Sequence, residues 1–184
     1  MRRLLSALVV SSLLVTGLPM ISLAQTNPGF TFTWGDGPTR KQQLKYVLDY
    51  GTPSARDRYR LKLGRQDLAI TRISISYPEY YHGTFDPDAI ELRSGGGKGG
   101  FFSFGARGGD KLPLSEVNWD RENGLIEIKP EEIIPAGTPV EVVLKNVRNP
   151  SSGGMYYFNA RVESPGDIPL MRYIGTWILS IYKS

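Results

Sequence analysis

Residues 58–63 read RYRLKL, and their alternation decides the fold. Tyr59, Leu61 and Leu63 fall on one side of an extended chain and Arg58, Arg60 and Lys62 on the other, so a strand here buries an apolar face and turns cations to water. A helix would scatter both sets around its circumference. The same period of two recurs along the chain. Phe30, Phe32 and Trp34 alternate with threonines, and Ile73, Ile75 and Tyr77 alternate with Ser74 and Ser76. Val140, Val142 and Leu144 alternate with Glu141 and Lys145, and Tyr156, Phe158, Ala160 and Val162 with Tyr157, Asn159 and Arg161. A closing strand is predicted over residues 173–182. Segment 44–50 fits both periods: Leu44, Val47 and Leu48 suit a helix face, whereas Leu44, Tyr46, Leu48 and Tyr50 suit a strand. It is read as a strand that Gly51, Thr52 and Pro53 end.

Turn residues separate these runs. Asn123-Gly124 lies between Val117/Trp119 and the run 125–128, which predicts a hairpin whose positive φ is supplied by Asn and Gly. Pro130, Pro135, Gly137 and Pro139 punctuate the next crossing, and 149–154 contains turn residues almost alone. Seven to nine short strands at this spacing, with no sustained helix, predict an all-β, immunoglobulin-like antiparallel β-sandwich, with a small barrel as the alternative. Residues 94–110 are about half glycine and include Phe101, Phe102 and Phe104, a composition that predicts a long loop or distorted hairpin.

The first residues carry a different pattern. Arg2 and Arg3 precede an uncharged, Leu/Val-rich run over 4–18, which Gly17 and Pro19 break. Ser22 and Ala24 then place small residues where a signal peptidase needs them for a cut before Gln25. Residues 1–24 are therefore expected to be a cleaved signal peptide, and 25–184 a single exported domain. Thr16, Gly17 and Pro19 make the same run a poor membrane span, so no stable span is expected after cleavage. The chain has no cysteine, which excludes both a lipoprotein cut and a disulfide framework. The core alone must hold the domain. Lys and Arg total 22 against 18 Asp and Glu, two of the cations lie in the leader, and the rest are interspersed with acids along the sequence. Nothing in that order forms the basic stripe a nucleic-acid phosphate track requires.

The segments FTFTWGDGPTRKQQLKYVLDYGTPSARDRYRLKL (30–63), ISISYPEYYHGTFDPDAIELR (73–93), EVNWDRENGLIEIKP (116–130), IPAGTPVEVVLKNVRNPSSGGMYYFNARVESPGD (134–167) and RYIGTWILSIY (172–182) follow in that order. Together they resemble the exported cyanobacterial proteins grouped as a domain of unknown function. The resemblance implies a periplasmic, cell-envelope or thylakoid-lumen setting, and it implies no activity and no catalytic residue.

The chemistry-bearing residues are few. His82 is the single histidine, which removes two-histidine metal sites, and no serine stands in the strained G-x-S-x-G elbow of a hydrolase. Gly95, Gly97 and Gly100 match G-x-G-x-x-G, but phenylalanines follow where a phosphate-binding helix would begin, and Lys98 is followed by glycine rather than Ser or Thr. Asp86, Asp88 and Glu91 offer hard oxygen ligands of the kind calcium takes, although the spacing suits a turn into a strand better. Glu131 and Glu132, neighbours on a turn, lack a partner across a cleft, and Asp36 reads as a turn former. The loop YPEYYHG groups Tyr77, Tyr80 and Tyr81 around Pro78 and beside His82; tyrosines there supply flat, amphipathic contact area, unless they form a buried tyrosine corner.

These observations lead to one expectation. The chain is a non-catalytic binding or structural module, its partner a protein or polysaccharide of the cell envelope or a lumenal protein, and its contact residues Tyr77, Tyr80, Tyr81, His82, Phe101 and Phe102. No cofactor, metal or nucleic acid is expected. A hydrolase with a site that sequence order hides, and a calcium-dependent carbohydrate module using Asp86, Asp88 and Glu91, are the alternatives. N-terminal sequencing of the exported protein is expected to begin at Gln25; a first residue of Met1 would overturn the leader assignment.

Overall fold

The computed structural model describes residues 40–94, 109–166 and 170–182. The proposed leader, the Phe30–Trp34 run and most of the glycine-rich segment lie outside them. Among the described residues ten strands follow in order: β1 (Tyr46–Leu48), β2 (Arg56–Arg65), β3 (Arg72–Ser76), β4 (Ile90–Ser94), β5 (Lys111–Leu112), β6 (Leu114–Asp120), β7 (Leu125–Pro130), β8 (Pro139–Arg148), β9 (Gly154–Glu163) and β10 (Met171–Ile181). They form two five-stranded sheets, ordered β1-β2-β8-β4-β5 and β10-β9-β3-β7-β6, and every strand pair within them is antiparallel. The orders β1-β2-β8-β4 and β10-β9-β3 repeat the two-sheet arrangement of an immunoglobulin domain, with β4 to β7 as two hairpins between its third and fifth positions. The strand count exceeds seven to nine because β1 and β5, three and two residues long, are edge pieces too short to show a period. Among the described residues, no helix is long and apolar enough to cross a membrane.

The alternation that predicts β2 is what the sandwich buries. Tyr59 and Leu61 are fully buried and Leu63 is nearly so, while Arg56, Arg58 and Lys62 are exposed on the other face. Ile73, Ile75, Ile126, Ile128, Phe158 and Trp177 fill the space between the sheets. Each such side chain stabilises the fold by about 1.5–3 kcal/mol relative to exposure. At the β6–β7 turn Gly124 has φ +60, and a Cβ there would stand 2.6 Å from the Tyr77 carbonyl oxygen. Asp120 caps that turn, accepting from the Asn123 backbone N–H at 3.0 Å.

Two carboxylates lock the first sheet. Asp57 is 5% exposed. Its oxygens accept the backbone N–H groups of Asp49 (2.9 Å), Tyr50 (3.1 Å), Gly51 (2.7 Å) and Arg58 (2.7 Å), and the Asn149 side-chain amide donates to it at 3.0 Å. A buried carboxylate is tolerated only when hydrogen bonds replace its water, and here they fasten the 49–51 loop to the sheet. On the outer face Glu91 takes Lys145 at 2.6 Å, Arg93 at 2.7 Å and Lys111 at 3.4 Å, tying β4 to β8 and β5. The hydrogen bond from Lys145 is the main reason that its carboxyl sits at about 2, well below the ordinary value.

Two outcomes follow from these locks. Asp57→Ala leaves several backbone donors unsatisfied in a buried site, and chemical denaturation is expected to show a loss of about 2–4 kcal/mol; a change under about 1 kcal/mol would mean that water replaces the carboxylate. Glu91 has a depressed folded pKa, so its contribution is present above the ordinary carboxyl value near 4.5 and is lost as pH falls toward 2. Glu91→Gln is therefore expected to flatten the fall of melting temperature across that acid window, and an unchanged acid profile would remove Glu91 from the account.

Candidate functional site

Three loops converge at one end of the sandwich, where β2 and β9 begin and β3, β8 and β10 end. They are 49–55, 77–83 and 149–153. Hydrogen bonds join the first to the third, the Ser54 N–H donating to the Pro150 carbonyl at 3.0 Å and the Asn149 N–H to the Ala55 carbonyl at 2.9 Å, and the first to the end of β10, where the Tyr182 N–H donates to the Gly51 carbonyl at 2.9 Å.

Beneath them runs a buried polar chain. Asn149, 3% exposed, donates through its amide to Asp57 and to the Thr52 carbonyl and accepts from the Tyr59 hydroxyl at 2.5 Å. The Tyr59 hydroxyl in turn lies 3.0 Å from that of Tyr81. With its own proton directed to Asn149, Tyr59 accepts from Tyr81. Burial, above all, raises the pKa of both phenols beyond the ordinary tyrosine value. They keep their protons and act as structural donors rather than as acids or bases.

The tyrosine loop divides accordingly. Tyr81 is 3% exposed and its ring packs on Tyr77, Phe85, Tyr156 and Phe158 at centroid distances of 4.9–5.5 Å. Tyr77 is also buried, and its hydroxyl accepts the Trp119 indole N–H at 2.6 Å. The expectation that these two rings offer contact surface is corrected: both belong to the core, because the loop folds inward and not over the surface. Tyr80 is the ring left outside, 52% exposed and resting against Tyr156 at 5.7 Å. His82 is exposed beside it, and Gly83 follows because a Cβ there would lie 2.5 Å from the Tyr81 ring. The tyrosine-corner bond of immunoglobulin-like domains belongs to Tyr156, whose hydroxyl donates to the Ser152 carbonyl at 2.8 Å.

The other candidates are dispersed. Phe101 and Phe102 lie outside the described residues. Their flanking anchors, Ser94 and Asp110, meet at the opposite end of the sandwich, where the Ser94 N–H donates to the Asp110 carbonyl at 2.9 Å and Ser94 pairs with Val140 at the start of β8. Asp86 accepts from the Asn146 side chain at 3.0 Å, Asp88 sits in a single 3-10 turn, and the Glu91 oxygens face three cations. Among the described residues, no group of three His, Cys, Asp or Glu is placed to hold a metal.

Sequence reading misses other rings at the same end as the tyrosine loop. Tyr50, 74% exposed, and Tyr182, 54% exposed, project from the same end. Tyr50 borders two open depressions. One, of about 560 Å³, is lined by Tyr46, Val47, Leu48, Gly51, Ser180 and Tyr182; the other, of about 340 Å³, includes Arg56, Arg58, Lys145 and Asn146. The second opens at a bulge where Lys145 and Asn146 stand opposite Arg58, with Asn146 at φ 55. A period of two places Arg56 and Arg58 on the outer face, but nothing in it brings Tyr50 beside them.

No curated protein matches the chain. Among solved structures, one described as the complete manganese lipoxygenase of Gaeumannomyces graminis with a partial zonadhesin of Komagataella pastoris is 13% identical. It covers 78% of this chain and 48% of its own, at a TM-score of 0.45. The C-terminal domain of the Streptococcus pyogenes antigen I/II-family protein AspA is 13% identical over 74% of this chain and 46% of that one, at 0.45. The collagen-binding domain from a Staphylococcus aureus adhesin is 11% identical over 76% and 96%, at 0.38. The chain spans about half the length of the first two. Likenesses of this size carry no argument about what it binds. A family model matches residues 30–181, most of the sequence, and the chain belongs to the family described as Protein of unknown function (DUF2808).

Proposed function

We propose that the chain is an exported, non-catalytic binding module of the cell envelope or thylakoid lumen, which holds a protein or polysaccharide partner at the loop-bearing end of its sandwich. One observation carries this reading: exposed rings stand on loops that bonds and ring contacts to the core have already fixed. Tyr80 rests on Tyr156, and the Tyr50 N–H is held by Asp57. Rings held in this way lose little entropy on binding, which is what a recognition surface requires. The polar groups underneath are consumed in holding the loops, since Tyr59, Tyr81, Asn149 and Asp57 bond one another. The leader pattern at residues 1–24 supports export, and the resemblance to exported cyanobacterial proteins supports the envelope or lumen as the setting.

Co-sedimentation of the purified mature protein with isolated envelope and thylakoid fractions tests this reading. Tyr80→Ala is expected to weaken capture about tenfold, about 1.4 kcal/mol, while the melting temperature holds. Tyr81→Ala, by contrast, empties the aromatic core and is expected to cost about 3–5 kcal/mol of stability. Wild-type protein that sediments with neither fraction would overturn the proposal. Equal stability losses in the two variants would show Tyr80 to be core.

A further inference from the structure

The outer face of the first sheet carries an electrostatic arrangement that folding alone does not account for. Arg56 on β2 and Arg148 on β8 are cross-strand partners in register, and both are exposed. Like charges directly opposite each other destabilise a sheet. Among the described residues, neither arginine has an ion-pair partner: Asp49 pairs with Arg58 and Arg60, Glu91 with Arg93, Lys111 and Lys145, and Glu141 stands in register with Lys62 and Arg93. Arg56 lines the 340 Å³ depression together with Arg58 and Lys145, so cations converge there, and the exposed ring of Tyr50 forms part of the same wall. Tyr50 also borders the adjoining 560 Å³ depression, whose far side includes Tyr182. Tyr50 thus stands between the two hollows and lines both.

We infer that Tyr50, Arg56, Arg58 and Arg148 form a binding site for an acidic polysaccharide, a chain that carries carboxylates on sugar rings. The inference rests on the binding-module reading and names the ligand class for the same end of the sandwich. A sugar carboxylate placed between Arg56 and Arg148 removes their mutual repulsion and accepts planar, paired hydrogen bonds from guanidinium groups. The Tyr50 ring offers a flat, amphipathic surface to the sugar beside it. Asp49, in the same hollow, accepts hydrogen bonds, which suits a polymer that brings hydroxyl donors along with its anions. A DNA backbone brings its anions without such hydroxyl donors. The Asp57 hydrogen bonds to the Tyr50 and Arg58 amides hold the backbone of both residues in place before any ligand arrives.

The test is calorimetric titration of the purified mature protein with polygalacturonate, neutral dextran and a single-stranded DNA oligonucleotide at equal ionic strength. The expected result is binding to polygalacturonate that weakens with added salt, and none to neutral dextran. Tyr50→Ala and Arg56→Gln are each expected to weaken polygalacturonate binding about tenfold or more. Arg56→Gln should also leave the ligand-free melting temperature equal to wild type or above it, because it removes one of two opposed charges; a drop would assign Arg56 a structural role and overturn the inference. It is likewise overturned if wild-type protein does not bind polygalacturonate, if both variants bind as wild type does, or if the oligonucleotide binds more tightly. In any of those cases, retained sedimentation of wild-type protein with envelope or thylakoid fractions leaves the broader binding-module reading standing. Loss of that sedimentation as well removes both.

Discussion

A buried carboxylate with no ion-pair partner among the described residues needs donors from every side, and Asp57 finds them in the backbone of the loop that precedes its own strand. That requirement organises the whole loop-bearing end. The 49–51 segment must curl so that its amides point at Asp57, Asn149 must turn in from the residue after β8 to complete the set, and its amide oxygen then orients the Tyr59 hydroxyl. Tyr81 closes the chain and thereby draws the 77–83 loop into the core. Each member satisfies the next, so a network that would be costly if left open is instead a fixed frame for three loops.

The strand pattern was legible because burial on one face leaves a period of two in the sequence. Tyr59, Leu61 and Leu63, or Tyr156, Phe158, Ala160 and Val162, point inward as their spacing requires. The ambiguous segment at 44–50 is a strand at residues 46–48, paired to β2. Polar residues on the outer face were less predictable. Asn159, only 8% exposed, accepts from the Thr176 hydroxyl at 2.6 Å, a cross-strand bond that depends on register and leaves no mark in local sequence.

The loop-bearing end was legible only in part, for the same reason. YPEYYHG is conspicuous in the sequence, yet the fate of each ring depends on partners 22 to 90 residues away from one another, as in the contacts of Tyr59 with Tyr81 and Asn149. Two rings satisfy the core and one faces water. Charge shows the same dependence. Cations that look interspersed along the chain are collected on one face because β2, β4, β5 and β8 lie side by side, and the pairing of Arg56 with Arg148 joins residues from strands with five others between them in chain order. Composition cannot report such neighbours.

The meeting of Ser94 with Asp110 has a consequence for how this fold tolerates change. The two residues meet at the end of the sandwich away from Tyr50 and Tyr80, and there a backbone bond fixes both, as β4 pairs with β8 and β5. What these anchors hold lies away from the loops that Asp57, Asn149 and Tyr81 fasten. The two ends are therefore fixed by separate sets of bonds, so a change that loosens one set need not loosen the other.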